Sequence, residues 1–212
     1  MKKAGQKRTL SSSKSETTRK KESSTVRERI IETAVRLFES QGYAATGINQ
    51  IIAESNAAKA SFYDHFLSKE LLGKEYLIRY GKRHLTLIRS LIEHSETPKE
   101  FLSSWVKIIR RQLRMQKLYG CPMANLRAQI GSDSPLLARE VQKLTTETLA
   151  VLADFLLVQK AAANEKSARL MARRMFSAYE GAIHLWQLTG EAEALEDIEF
   201  LSLQILQTSE HN

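Results

Sequence analysis

The residues from Thr46 to Lys69, TGINQIIAESNAAKASFYDHFLSK, carry side chains suited to gripping a polyanion rather than to breaking a bond. Lys59 has the reach for a guanine O6/N7 edge or a phosphate. The Tyr63 hydroxyl offers a donor to a phosphate oxygen. Lys69 falls in the first turn of a helix that opens at Ser68, where free amide N–H groups also favour an anion. Two short helices must position these groups. Ile48, Ile51 and Ile52 recur at helical spacing and give the first helix one apolar face. Ser55-Asn56 interrupts that pattern, and Asn tolerates the left-handed backbone that a sharp inter-helix turn requires. Beyond it, Phe62 and Phe66 lie one turn apart, leaving Ala58, Lys59, Ser61 and Asp64 on the other faces. A short helix with an apolar back and a small, polar and cationic front can enter a DNA major groove. The expectation is a helix-turn-helix with Ala58 to His65 as its recognition helix. Two amphipathic helices around a turn also occur in all-α domains that never meet DNA, so periodicity alone leaves that alternative open.

The segment Arg27 to Leu72 closely resembles the N-terminal domain of TetR/AcrR (tetracycline-repressor-type) transcriptional regulators. The resemblance rests on Ile31, Ala34, Leu37, Phe38, Gly42, Tyr43, Thr46, Ile51, Lys59, Phe62, Tyr63, Phe66, Ser68, Lys69 and Glu70, matched without a gap. It implies that Ala58, Lys59, Ala60 and Ser61 face base edges or the adjacent backbone, and that Thr46, Tyr63, His65 and Lys69 contact phosphates. It further implies a homodimer on a pseudo-palindromic double-stranded operator and a small-molecule inducer. Several positions depart from the family pattern. Asn56 and Ala60 stand where Gly is frequent, and Ala57 replaces a larger aliphatic. Asp64 puts an anion on a helix meant for DNA; it either points away or accepts selectively from a cytosine amino group.

Composition is in keeping with an almost wholly helical chain: three prolines and nine glycines in 212 residues, enough length to bury a core. No apolar run approaches the length of a membrane span, and no greasy segment follows the basic N-terminus as a secretory signal would require. A single cysteine excludes an intrachain disulfide framework and suggests a reducing, cytoplasmic setting. The net charge of +8 is uneven: residues 1–24 hold eight cations against two anions. That Ser/Thr-rich arm buries too little to fold alone, and is expected to act either as a solubilising tail or as an electrostatic arm along phosphates. Residues 25–72 carry five cations and six anions, so affinity there must come from individually placed donors.

The expected architecture is all-α, about nine helices: the arm 1–24, a three-helix helix-turn-helix domain 25–72, and a larger helical ligand-binding and dimerisation domain 73–212. Start signals are Thr25 with Glu28, Thr46 as a hydroxyl cap, Ser68, Thr97-Pro98-Lys99-Glu100, Ser134-Pro135 and Asn164. Gly42, Gly120, Gly131 and Gly190 read as stops, which carries helix 5 as far as Tyr119. Helix 8 places Met171, Met175, Ala178, Ala182, Leu185 and Trp186 along its length, and helix 9 is apolar on several sides. The two are expected to pair with their copies across a two-fold axis, unless both are buried within their own subunit.

Candidate inducer-binding residues are His84, Trp105, Met115, Tyr119, Met123, Tyr179, His184 and Trp186, any of which can equally be plain core. Cys121 lies between Gly120 and Pro122, near the start of helix 6, where amides are expected to lower a thiol pKa. A sub-branch of the family resembled carries a cysteine at a similar position, in some members a sensor of electrophiles or oxidants. The alternative is an inert buried thiol. Catalysis has no foothold: G-x-S-x-G, a Walker loop, H-E-x-x-H and Cys/His metal clusters are all missing, so no metal or cofactor is expected. The competing function is a helical interaction protein whose basic arm binds RNA or acidic partners.

Overall fold

The computed structural model describes residues 25–207; the expectations for the arm 1–24 lie outside them. Among the described residues there are nine α-helices, one short 3-10 turn and no strand. Helix α1 (Val26–Ser40) begins where Thr25 accepts the Glu28 amide, and buries Ile30, Ile31, Ala34, Leu37 and Phe38 on one face. Helices α2 (Ile48–Glu54) and α3 (Lys59–His65) pack against it through Ile51, Phe62 and Phe66. Helix α4 (Lys69–Glu93) starts at a Ser68 cap and runs unbroken for 25 residues. The boundary expected after residue 72 lies four residues into this helix, which both parts share. Arg79 on α4 pairs with both Glu28 of α1 and Glu75, and Arg27 adds a fourth charge 3.3 Å from Glu75, which ties the three-helix unit to α4.

Helices α5 (Pro98–Arg114), α6 (Pro122–Ile130), α7 (Pro135–Val158), α8 (Glu165–Thr189) and α9 (Asp197–Gln207) complete the chain. The caps at Thr97 and Asn164 form as the sequence predicts, the latter as a reciprocal capping box with Ser167. Helix α5 ends five residues short of Tyr119. Gln116 takes a left-handed φ of 55°, and the Gln116 and Lys117 amides fold back onto Leu113 and Gln112, closing the helix before Gly120. Ala192–Glu196 coils as a 3-10 turn that leads into α9, which ends at Gln207 as the sequence predicts. α4 and α7 touch closely at Gly81: a Cβ there would lie 2.2 Å from Leu144 Cδ2.

Candidate functional site

The turn of the helix-turn-helix adopts the conformation the sequence predicts. Asn56 has φ 51°, the Ser55 hydroxyl donates to Ile52 O, and the Ala57 amide donates to the same carbonyl. Arg29 of α1, not singled out by sequence, donates through Nε to Ser55 O at 3.2 Å and through a terminal nitrogen to Asn56 O. A guanidinium thus holds the turn by its carbonyls. Ala58 is the N-cap residue of α3 rather than its first helical one. Ala58, Lys59, Ala60, Tyr63, Asp64 and His65 are exposed and Ser61 is half-buried, while Phe62 and Phe66 anchor the opposite side. Asp64 lies one turn beyond Ala60, so the two share the face opposite the Phe anchors.

Thr46 corrects an expectation. It is fully buried, its hydroxyl donates to Gly42 O at 2.7 Å and accepts from Gln41 Nε2, and Gly47 takes the N-cap place of α2 with no side-chain cap. The hydroxyl is occupied in bracing the α1–α2 corner, so it is not turned outward to a phosphate. Lys69 is half-buried. Its Nζ donates to Ala44 O at 3.3 Å and stands 4.4 Å over the Tyr43 ring, and the partial burial lowers its pKa.

Behind this surface is a cavity of about 400 Å³. Tyr76, Tyr80 and His84 reach it from successive turns of α4, Trp105 and Ile108 from α5, and Tyr179 from α8. Phe38, Glu39 and Tyr43 close it from the side of α1, and Gln129 from α6. Trp105 stacks on Tyr179 at 4.9 Å, and Tyr80 on His84 at 5.5 Å. His84 Nε2 is buried without a hydrogen-bond partner, and burial pushes the imidazole pKa down to about 4. Glu39, whose pKa burial raises, pairs with Arg83 at 3.3 Å. Of the expected ligand residues, His84, Trp105, Tyr119 and Tyr179 line the cavity. The other four do not. Met115 is exposed at the end of α5, and His184 is exposed on α8 with its Nδ1 at Glu180 O. Met123 is core, 3.9 Å from the Thr145 hydroxyl, and Trp186 is half-buried away from the lining.

Cys121 is buried beside the Glu180 carboxylate; burial first, then that carboxylate, push the thiol pKa up against the opposing pull of the Ala124 and Met123 amides. Of the two readings of this cysteine, the buried thiol is the one the structure has, because desolvation outweighs two backbone donors.

Residues 30–76 match the family model "Bacterial regulatory proteins, tetR family", and residues 98–200 match that of the "Transcriptional regulator LmrA/YxaF-like, C-terminal domain". The HTH-type transcriptional regulator YxaF of Bacillus subtilis is 34% identical over 75% of this chain and 83% of its own length. The chain belongs to the TetR family. LmrA of the same organism is 33% identical over 59% of this chain and 68% of its own length. A TetR-family regulator from Streptomyces coelicolor shares the fold, with a TM-score of 0.77 at 20% identity, covering 87% of this chain and 95% of that one. TetR-family members are DNA-binding transcriptional regulators, typically repressors and dimers, and are not enzymes.

Among the described residues of this TetR-family chain, no helix is long and apolar enough to cross a membrane, and no group of His, Cys, Asp or Glu is placed to hold a metal. The α8 residues expected to form an inter-subunit seam divide in two. Met171, Met175, Ala178 and Ala182 are buried within the subunit, so that part of the expectation is corrected. Leu185 is 44% exposed and Leu188 83%, and with Arg174, Ser177 and Gly181, all exposed, they form one stripe at helical spacing. Phe200 and Leu201 of α9 are exposed too, at 60% and 43%.

Proposed function

We propose that this chain is a homodimeric repressor that α3 anchors on a pseudo-palindromic operator, and that a small molecule entering the cavity releases it. The observation that supports this best is the cavity itself: it is bounded on one side by Phe38, Glu39 and Tyr43, which belong to the DNA-binding segment. α3 offers Ala58, Lys59, Ala60 and Ser61 to base edges, while Tyr63, His65 and Lys69 take phosphates. α4 carries Lys69 at its start and Tyr76, Tyr80 and His84 along the cavity, so a shift of α4 displaces the DNA contacts at the same time. The exposed stripe of α8 with Phe200 and Leu201 of α9 forms the two-fold interface, in which Gly181 permits close approach. This sets the two α3 helices about 34–36 Å apart, one helical turn of DNA. The protein works in the cytoplasm, where its operator is. Modification of Cys121 is the weaker candidate for the signal, because a buried thiol beside a carboxylate resists forming the thiolate that reacts.

Selection of bound duplexes from a random DNA pool, followed by mobility shifts on the winner, tests the proposal. Lys59→Ala is expected to weaken binding by about 1–3 kcal/mol. Equal separation of the α3 helices in free and released dimers would count against the α4 shift. The interaction-protein alternative instead requires binding that is indifferent to duplex sequence and resides in the arm 1–24.

A further inference from the structure

The backbone of Ala44 joins three parts of the molecule. Its N–H donates to Gln129 Oε1 of α6 at 2.9 Å, and its carbonyl accepts from Lys69 Nζ at the start of α4. The preceding residue, Tyr43, lies under the Lys69 ammonium and packs against Phe38. Both Tyr43 and Gln129 are cavity walls. Two residues earlier, Gly42 has φ 92°, and a Cβ on it would lie 2.8 Å from the Gln129 amide. The carboxamide of Gln129, an exposed side chain, therefore rests against the α1–α2 loop at Gly42 and Ala44.

We propose that Gln129 is a positioning residue for DNA binding: its carboxamide holds the Ala44 peptide, Ala44 holds Lys69, and an occupant of the cavity acts by drawing Gln129 off the loop. This rests on the ligand-responsive function proposed above, and adds a path through α6 that does not require α4 to shift. A molecule in the cavity competes for the Gln129 carboxamide, whose alternative partner is a single backbone amide. Losing that bond frees the loop that fixes the Lys69 ammonium, while α3, held by Phe62 and Phe66, keeps its place.

The test uses the full-length protein and its selected operator duplex. Gln129→Met keeps the stem and loses the acceptor. It is expected to speed hydrogen exchange of the Ala44 amide about tenfold and to weaken operator binding about tenfold, with melting temperature and dimer mass unchanged. Gln129→Glu keeps an acceptor and is expected to restore slow Ala44 exchange. Ile108→Trp, on the α5 wall, stands in for an occupant. It is expected to weaken binding about tenfold alone but less than about twofold in the Gln129→Met background, since both act on one link. Wild-type affinity in Gln129→Met, or Ile108→Trp and Gln129→Met effects that simply multiply, overturns the proposal while leaving the repressor function standing. Failure of the wild type to retain any duplex from the pool overturns both.

Discussion

Burial acts in opposite chemical directions on His84 and Cys121. It disfavours the charged form of each, so the imidazole stays neutral well below neutrality and the thiol stays protonated well above it. Burial pushes the His84 imidazole down to about 4 in the fold, against the usual 6.5, so the unfolded chain binds the proton more readily. Stability is therefore complete above about pH 6.5 and is lost as pH falls from there towards 4, by roughly 3 kcal/mol for this group. Melting curves across that window are expected to flatten in His84→Phe, which keeps the stack on Tyr80 and cannot titrate; an unchanged slope would show that the imidazole takes up its proton in the fold as readily as in the unfolded chain. Cys121 is expected to react with iodoacetamide at pH 8 about a hundredfold more slowly in the native protein than after denaturation. Fast native alkylation would return the thiol to the list of signals. The burial of His84 was not legible in the sequence, whereas the inert buried thiol was one of the two readings open for Cys121. Gly-Cys-Pro announced a helix start correctly, but Glu180, 59 positions along the chain, decides the thiol's chemistry with the surrounding core.

At the scale of elements, starts were readable and ends less so. Thr25, Ser68, Thr97 and Asn164 all cap as their side chains foretell, because a cap is a local bond between neighbours in sequence. Thr46 failed as a cap because its hydroxyl had a better partner in Gly42 O, and α5 stopped early because a left-handed Gln116 cannot be told from an ordinary one by residue type. The pairing of His84, Trp105, Tyr119 and Tyr179 around one cavity was partly legible, since aromatics on helices in that region were candidates. Tyr80 and Gln129 were not, for their role depends on which helix faces meet. The helix-turn-helix yields a prediction of its own. Asp64 shares the outer face of α3 with Ala60, and on the groove-facing side proposed for α3 it would accept from a cytosine amino group and repel other edges. Asp64→Asn is expected to relax base preference at one operator position, with an effect of about 1–3 kcal/mol per base pair. Selection from a random pool that returned the same consensus for both proteins would place Asp64 outside the groove.

For the whole molecule, one helix pair provides a single reading head, and the proposed repressor uses two. One three-helix unit of nearly balanced charge has little sequence-independent affinity to draw on. Doubling it on a rigid two-fold frame turns the second contact into an intramolecular event. The frame must come from surface left open after each subunit has packed its own core, and the surface proposed for it is the Leu185–Leu188 stripe of α8 with Phe200 and Leu201 of α9. An apolar patch of this kind is costly to leave in water. Leu188, 83% exposed in the isolated subunit, has little to lose in the monomer fold and much in the dimer. Leu188→Asp is therefore expected to leave helicity intact, to shift the mass in solution from dimer to monomer, and to weaken operator binding by about a hundredfold or more through lost avidity. Sedimentation and mobility shift on the same preparation measure both effects. A variant that remains dimeric moves the two-fold axis elsewhere on the protein, whereas one that is monomeric yet binds the full operator as tightly as the wild type removes the need for a pair of recognition helices.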